Sequence, residues 1–237
     1  MRVAALYDVH GNLPALHAVL DEVATQRIDQ VVVGGDVLWG PLQSECLATL
    51  RAVGALFLAG NCEREVIGAA GESSRWCREQ LTSDDIALVS AWPATLDLEV
   101  DGLGRVTFCH ATPRSDEENL TRITPDDEVA SALSGVDADV VVCGHTHVQL
   151  DRRAPNAPRL VNAGSVGLPY QGETGAFWTI LGGDVEFRRT AYDVESALAA
   201  LCETGFPSAA DVFGESLRGT ISADSATAHF ESKRRAS

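Results

Sequence analysis

The chain has 237 residues, 45% of them hydrophobic and 22% charged, with a formal net charge of −16 at pH 7. This composition is typical of a globular protein with a substantial core. We expect one α/β domain over residues 1–219 and a disordered tail over 220–237, where Ser, Ala, Thr and charged residues dominate. The acidity argues against long nucleic acid as a partner, because a phosphate backbone would be repelled.

The cysteines and the apolar segments bear on the compartment. The six cysteines form no Cys-x-x-Cys pair, which favours reduced thiols and a cytoplasmic protein over a disulfide framework. The N-terminus lacks a signal-peptide layout, and no apolar stretch approaches the roughly 20 residues of a membrane-spanning helix. We therefore expect no membrane partner, and the sequence leaves oligomerisation open.

Hydrophobic periodicity predicts alternating strands and helices. The predicted strands cover residues 2–7, 30–33, 55–58, 140–143 and 159–162, with hairpins over 96–109 and 176–189. The predicted helices cover residues 13–23, 43–53, 63–92, 126–133 and 194–202.

Polar side chains stand just beyond the ends of these strands, where ligands bind in open α/β sheets. They are Asp8, His10, Asp36, Asn61, His110, His145 and His147. Each motif alone has an ordinary explanation: Asp8 or Asn12 could cap a helix, Gly before Asp or Asn is common in turns, and a histidine pair can end a strand in solvent. However, four of the six histidines belong to this set. The repetition favours a metal site, and mixed nitrogen and oxygen ligands suit transition metals.

The motifs Asp8-x-His10, Gly35-Asp36, Gly60-Asn61, a lone His110 after a strand and Gly144-His145-x-His147 resemble those of the calcineurin-like metallophosphoesterases. The resemblance implies a four-layer α/β sandwich of two mixed β-sheets flanked by helices. It also implies two divalent metal ions, with manganese expected and iron, zinc or nickel as alternatives. Asp8, His10, Asp36 and His147 would hold one ion, and Asp36, Asn61, His110 and His145 the other, with Asp36 as the bridge. Asp36, Asn61 and His110 are the implied catalytic residues.

Cys62 departs from the commonest form of the family, which has Gly-Asn-His where this chain has Gly-Asn-Cys. A subgroup of small prokaryotic phosphodiesterases looks similar at this position. A neutral thiol is a weak hydrogen-bond donor, so the change predicts a preference for substrates with good leaving groups. A small packing residue is an equally good interpretation of Cys62.

Five further residues are candidates for substrate contacts. Asn12 and Arg114 follow ligand motifs, and the Arg114 guanidinium could bind phosphate oxygens. Arg64 is another candidate, although a surface salt bridge explains it equally well. Trp39 and Tyr170 could flank a nucleobase, but packing against a neighbouring helix is the simpler interpretation of an aromatic residue in a loop.

The sequence therefore predicts a two-metal phosphoesterase that cleaves phosphodiester or phosphoanhydride bonds of small molecules, most of all nucleotides. Two cations can share a hydroxide and neutralise charge on the phosphoryl oxygens as it attacks. A protein serine/threonine phosphatase is one alternative. A binding scaffold that kept the fold and lost catalysis is another, although such a scaffold has no reason to retain every ligand position.

Overall fold

The computed structural model describes residues 1–234, and its strands form two five-stranded sheets. The strands are β1 (Val3–Leu6), β2 (Gln30–Val33), β3 (Leu56–Phe57), β4 (Thr95–Val100), β5 (Gly104–Cys109), β6 (Val140–Cys143), β7 (Leu150–Arg152), β8 (Arg159–Asn162), β9 (Ala176–Gly182) and β10 (Asp184–Thr190). The helices are α1 (Leu13–Thr25), α2 (Gln43–Ala52), α3 (Asn61–Ile67), α4 (Glu72–Glu79), α5 (Ser83–Ser90), α6 (Asp126–Ala132), α7 (Val194–Glu203), α8 (Ala209–Leu217) and α9 (Ala223–Arg234).

Both sheets are mixed, and each contains three adjacent parallel strands. The first has the order β10-β9-β1-β2-β3, in which β1, β2 and β3 are parallel and β9 and β10 are antiparallel to their neighbours. The second has the order β4-β5-β6-β8-β7, in which β5, β6 and β8 are parallel. Leu6 pairs with Val33 in the first sheet, and Phe108 pairs with Val142 in the second. The parallel strands therefore end side by side, and so do the polar residues that follow them.

The two sheets pack face to face over an apolar layer. Tyr7 and Val32 of the first sheet meet Phe108 and Val142 of the second in one buried cluster. The Tyr7 hydroxyl donates to the carbonyl of Val142 at 3.0 Å, which ties the sheets together where β1 and β6 end.

Helices cover the outer faces of the sheets. Leu16 and Val19 of α1 pack against the first sheet, while Val129 of α6 packs against Val141 and Leu160 of the second. The expected four-layer sandwich of two mixed sheets flanked by helices is confirmed. No helix among the described residues is long and apolar enough to cross a membrane.

The structure differs from the sequence prediction in several local elements. The helical region predicted over 63–92 consists of three helices, because Gly71 has a φ of +88° between α3 and α4 and Thr82 caps α5. The short strand β7 and helix α8 were not predicted.

The predicted disordered tail was wrong over most of its length, since Ala223–Arg234 form helix α9. Tertiary contacts stabilise it: the buried Glu231 carboxylate accepts hydrogen bonds from the Thr121 and Thr124 hydroxyls at 2.6 and 2.5 Å. Residues 235–237 of that prediction lie outside the described part of the chain, and the domain boundary at residue 219 remains a prediction.

Candidate metal centre

Five of the seven predicted ligands have left-handed backbone. The φ angles are +52° at Asp8, +46° at His10, +57° at Asp36, +64° at His145 and +55° at His147. Non-glycine residues adopt this region at an energetic cost, and such residues cluster at functional sites. The left-handed turns let each chain segment leave its strand sharply, so that its side chain faces the crevice between the sheets.

Hydrogen bonds between the strand-end loops bring the ligands together. The backbone NH of His10 donates to the carbonyl of Asp36 at 2.9 Å, which joins the loops after β1 and β2. The backbone NH of His145 donates to the Asp8 carboxylate at 3.0 Å, and that of Gly144 to the carbonyl of His110 at 2.8 Å. The bond from His145 to Asp8 joins the first sheet to the second, and the bond from Gly144 to His110 joins the loops after β6 and β5.

Asp8, His10 and His147 form a compact group in which the candidate ligand atoms lie within 4.8 Å of one another. The Nε2 atoms of His10 and His147 are 3.2 Å apart. Asp8 Oδ1 lies 3.5 Å from His147 Nε2. All three side chains are buried.

Asp36 lies between this group and a second one. Its Oδ2 is 3.8 Å from His10 Nε2 and 3.4 Å from His110 Nε2. His110 Nε2 in turn lies 3.1 Å from Asn61 Oδ1, and Asp8, Asp36 and His110 again offer ligand atoms within 4.8 Å of one another. His145 stands at the edge of this second group, with its ring centroid 5.2 Å from that of His110.

Backbone carbonyls orient three of the imidazole rings. The Nδ1 atoms of His10, His110 and His147 lie 3.1, 2.8 and 2.6 Å from the carbonyl oxygens of Trp39, Gly34 and Leu168. Since a carbonyl only accepts, each Nδ1 carries the proton and donates. When its ring is neutral, each of these histidines keeps the lone pair on Nε2, which faces the carboxylates, the arrangement that metal-binding histidines use.

Burial and close charges shift the pKa values in the crevice. Burial, reinforced by His147, lowers the pKa of His10 to about 4. Burial and His110 likewise lower the pKa of His145 to about 4. Burial also opposes a charge on His110, but Asp36 and Asp8 outweigh it and raise the pKa of His110 to about 10. For Asp36, burial is outweighed by His110, which lowers the pKa of the carboxyl. The site therefore keeps its carboxylates ionised, His10 and His145 neutral and His110 protonated at pH 7. A metal ion bound at His110 would displace that proton.

The donor set fits divalent cations. Asp8 Oδ1 is fully buried and has no hydrogen-bond partner among the described residues, although a buried carboxylate oxygen is normally satisfied. Gly60 allows the loop after β3 to approach closely, since a Cβ at Gly60 would lie 2.3 Å from Asp36 Oδ1. An unsatisfied carboxylate beside neutral imidazoles is a ligand set for a transition metal.

The family comparison agrees with this geometry. The family model described as the calcineurin-like phosphoesterase superfamily domain matches residues 1–182. The chain belongs to this superfamily.

Relatives of this calcineurin-like protein share most of its length. An uncharacterized protein of Methanocaldococcus jannaschii is 24% identical over 234 residues, which cover 86% of this chain and 93% of the relative. A metallophosphoesterase structure from Sphaerobacter thermophilus matches with a TM-score of 0.77 and 25% identity, covering 92% of this chain and 100% of that one. A hypothetical protein of Pyrococcus horikoshii matches with a TM-score of 0.79 and 18% identity, covering 92% and 98%.

Glu63 supports the site although none of the ligand motifs in the sequence pointed to it, and its side chain is only 1% exposed. Its carboxylate accepts the backbone NH groups of Asp36, Val37, Leu38 and Gly60 at 2.7–3.1 Å. Burial and the charge of Asp36 raise its pKa against the pull of these hydrogen bonds. Glu63 thus fixes both loops that carry Asp36 and Asn61. A glutamate directly after Gly60-Asn61-Cys62, in the first turn of a helix, was the available signal.

Among the candidate substrate residues, the structure brings Cys62 into the metal centre. Its thiol lies within 4.8 Å of candidate ligand atoms of His10 and Asp36. Its backbone NH donates to Asp36 Oδ1 at 2.9 Å. Burial, together with the Asp36 charge, raises the pKa of the Cys62 thiol well above its usual value, so the thiol stays protonated.

Asn12 has structural contacts instead. Its Oδ1 accepts the backbone NH of Ala15 at 3.2 Å and so caps α1, and its Nδ2 donates to the Gly167 carbonyl at 3.0 Å. These contacts agree with the interpretation of Asn12 as a helix cap.

The two arginine candidates pair with acidic residues outside the set of predicted ligands. Arg114 pairs with Glu118 and donates to the Ser131 carbonyl at 3.0 Å. Arg64 forms surface salt bridges with Asp116 and Glu117 at 3.0 and 2.9 Å, as the alternative interpretation expects.

The Trp39 ring lies 5.2 Å from Phe206, a packing contact, and 5.7 Å from His10. Its backbone carbonyl orients His10. Tyr170 is different, because its ring stacks on His147 at 4.8 Å with an interplanar angle of 19°.

Proposed function

We propose that this protein is a two-metal phosphoesterase that cleaves phosphodiester or phosphoanhydride bonds of small molecules. The observation that carries the proposal is the position of Asp36, whose Oδ2 lies between His10 Nε2 and His110 Nε2 at 3.8 and 3.4 Å. A carboxylate has two oxygens and can serve two cations at once.

Asp8, His10, Asp36 and His147 would hold one ion, and Asp36, Asn61, His110 and His145 the other. The first set agrees with the short distances among Asp8, His10 and His147. In the second set, the contact of 3.1 Å between His110 and Asn61 supports the pairing. Manganese is the ion we propose to test first, with iron, zinc and nickel as alternatives.

When bound, two divalent cations activate a water molecule and neutralise the charge that develops on the phosphoryl oxygens. The protein's residues orient that chemistry. The carbonyls of Trp39, Gly34 and Leu168 hold the imidazoles in the metal-binding tautomer. Asp36, Asn61 and His110 surround the point where the two ligand groups meet, and the protonated Cys62 lies beside them.

Nucleotides are the substrate class that we propose. A structure described as a proposed diadenosine tetraphosphatase matches this chain with a TM-score of 0.56 and 21% identity, a similarity that concerns the fold. Support for a small phosphoester comes from the net charge of −16, which disfavours long polyanions. A cytoplasmic location and the absence of a membrane partner remain predictions.

Asp36→Asn tests the proposal. We expect turnover of bis(4-nitrophenyl) phosphate with added manganese to fall to background, because the bridge loses its charge. The affinity for manganese should also fall, and by more than the roughly 10–100-fold loss that is usual when a residue that only orients a metal ligand is replaced. Elemental analysis and the nitrophenol assay measure both effects.

Asp84→Asn, an exposed change in the first turn of α5, is the matched control and should behave as the wild type. A fully active Asp36→Asn protein would show that the ligand assignment is wrong. Wild-type protein that binds no metal and turns over nothing with manganese would instead support a non-catalytic scaffold. Hydrolysis of phosphoserine peptides in preference to diesters would support a protein phosphatase.

A further inference from the structure

A cavity of about 380 Å³ lies between helix α9 and the loop that carries Tyr170. Its walls include the aromatic rings of Tyr170 and Phe230, and Ser225, His229 and Lys233 supply polar groups. The α9 residues in the wall are spaced three or four apart and so share one face of the helix. The volume falls within the range of about 300–1,000 Å³ that is usual for ligand pockets.

The cavity adjoins the metal centre through two aromatic contacts. Tyr170 stacks on His147 at 4.8 Å, and the Phe230 ring lies 6.0 Å from the His145 ring. Each of these histidines is a candidate ligand of a different metal ion. A molecule whose phosphate reached the two groups of ligands would therefore extend its next substituent toward Tyr170 and Phe230.

Specific contacts hold Phe230 in place. The neighbouring Glu231 is 4% exposed and accepts hydrogen bonds from Thr121 and Thr124. Ion pairs of Arg122 with Asp224 and of Arg234 with Glu128 fasten the two ends of α9 to the domain. Helix α9 lies beyond residues 1–182, the part of the chain that matches the family model.

We infer that this cavity binds the nucleobase of the substrate, with Tyr170 and Phe230 as the surface on which the base packs. The two ring centroids are 6.4 Å apart and the planes are inclined at 34°, which leaves no room for a base between them. The base lies against one ring and meets the edge of the other, a geometry that aromatic groups favour. Phe230 is thus a specificity-determining residue.

This inference rests on the proposed function, because the phosphate must occupy the metal centre for the base to reach the cavity. The test compares Phe230→Leu with the wild type, since leucine keeps an apolar side chain but removes the aromatic ring. The probes are hydrolysis-resistant 5′-methylenephosphonates of adenosine and of ribose, titrated by calorimetry into manganese-loaded protein. We expect the wild type to bind the adenosine compound about tenfold more tightly, the size of one base–aromatic contact. Phe230→Leu should reduce this ratio to about 2 or less, with the affinity for the ribose compound unchanged.

Ser232→Ala is the matched control, because Ser232 is exposed on the same helix and its hydroxyl donates to the His229 carbonyl. It should keep the wild-type ratio, and Phe230→Tyr should restore most of it. Equal binding of both probes by the wild type, or an unchanged ratio in Phe230→Leu at an unchanged melting temperature, would overturn the inference. The ratio of the two affinities is measured at equilibrium, whereas the proposed function is tested by turnover of bis(4-nitrophenyl) phosphate. Failure of one can therefore be distinguished from failure of the other.

Discussion

Several residues of the candidate metal centre have a strained backbone conformation. Asp8, His10, Asp36, His145 and His147 all have φ between +46° and +64°, where each non-glycine residue costs about 1–3 kcal/mol. The surrounding hydrogen bonds must impose these conformations. Glu63 contributes most visibly, since one carboxylate holds four backbone NH groups of two loops.

Glu63→Gln should weaken metal binding without touching a proposed ligand. A glutamine retains one acceptor oxygen and adds an NH₂ donor beside backbone donors, so part of the Asp36 loop loses its support. We expect manganese affinity to fall about 10–100-fold, as for other partners that orient ligands. Calorimetric titration of manganese measures the effect.

Glu79→Gln, an exposed change in α4, is the control and should leave affinity unchanged. Wild-type affinity in Glu63→Gln would mean that the Asp36 loop keeps its conformation without the carboxylate.

Helix α1 is joined to the β9–β10 hairpin by a polar network around Glu22. The Thr190 hydroxyl donates to Glu22 at 2.5 Å, and Arg188 Nε donates to the same carboxylate at 3.0 Å. The buried Trp178 indole donates to Thr190 at 2.9 Å. Burial raises the pKa of Glu22, but the hydrogen bonds from Thr190 and Arg188 outweigh it and lower the pKa overall.

Glu22→Gln should therefore change the pH dependence of stability. A carboxyl whose pKa is lowered by folding stabilises the protein above the unfolded-state pKa of about 4.3. That contribution is lost as the pH falls through the folded-state pKa. We expect the variant to lose about 1–2 kcal/mol at pH 7, the contribution of hydrogen bonds to a charged group. The difference from the wild type should shrink below about pH 4.

Urea unfolding at several pH values measures both quantities. Asp21→Asn, an exposed change one residue earlier, is the control and should follow the wild type throughout. A difference between Glu22→Gln and wild type that stays constant down to pH 3 would contradict the role given to this carboxylate.

At the scale of the whole molecule, a cluster of buried carboxylates and imidazoles lies between the two sheets, and its Asp8 Oδ1 has no hydrogen-bond partner among the described residues. The chain's net charge of −16 creates a negative electrostatic potential that attracts cations, and repulsion between the like charges destabilises the compact folded state. Divalent cations bound between the sheets should therefore stabilise the entire fold rather than one loop.

Removal and return of metal tests this coupling. At a free manganese concentration about 100 times Kd, the free energy of unfolding should rise by about 2.7 kcal/mol. For a chain of this length the melting temperature should then rise by about 5–10 °C. Thermal unfolding with EDTA and then with excess manganese measures the shift. Asp36→Asn should show little of it, and an equal shift in that variant would place the stabilising ions elsewhere.

The sequence by itself determined the layered fold and the set of chemistry-bearing residues. The strands and the polar residues at their ends can be recognised from short stretches of sequence, because strand periodicity and turn residues are properties of neighbouring positions. The polar residues are Asp8, Asp36, His110 and the His145-x-His147 pair. The resemblance to the family then implied which of these residues would bind each metal ion, and that assignment remains a prediction. The sequence also drew attention to Cys62, and the structure places its thiol among the candidate ligand atoms of His10 and Asp36.

Only the tertiary structure decided which polar side chains reach the metal centre and which support it. Asn12, Arg64 and Arg114 carry the right chemistry, but their partners are Gly167, Asp116 and Glu118. Glu63 and helix α9 gave weak local signals and draw their roles from contacts distant in the sequence. Such contacts depend on the packing of whole elements, which local composition does not specify. That is why the candidate ligands could be named from the sequence, whereas the residues that position them and the cavity wall formed by Phe230 could not.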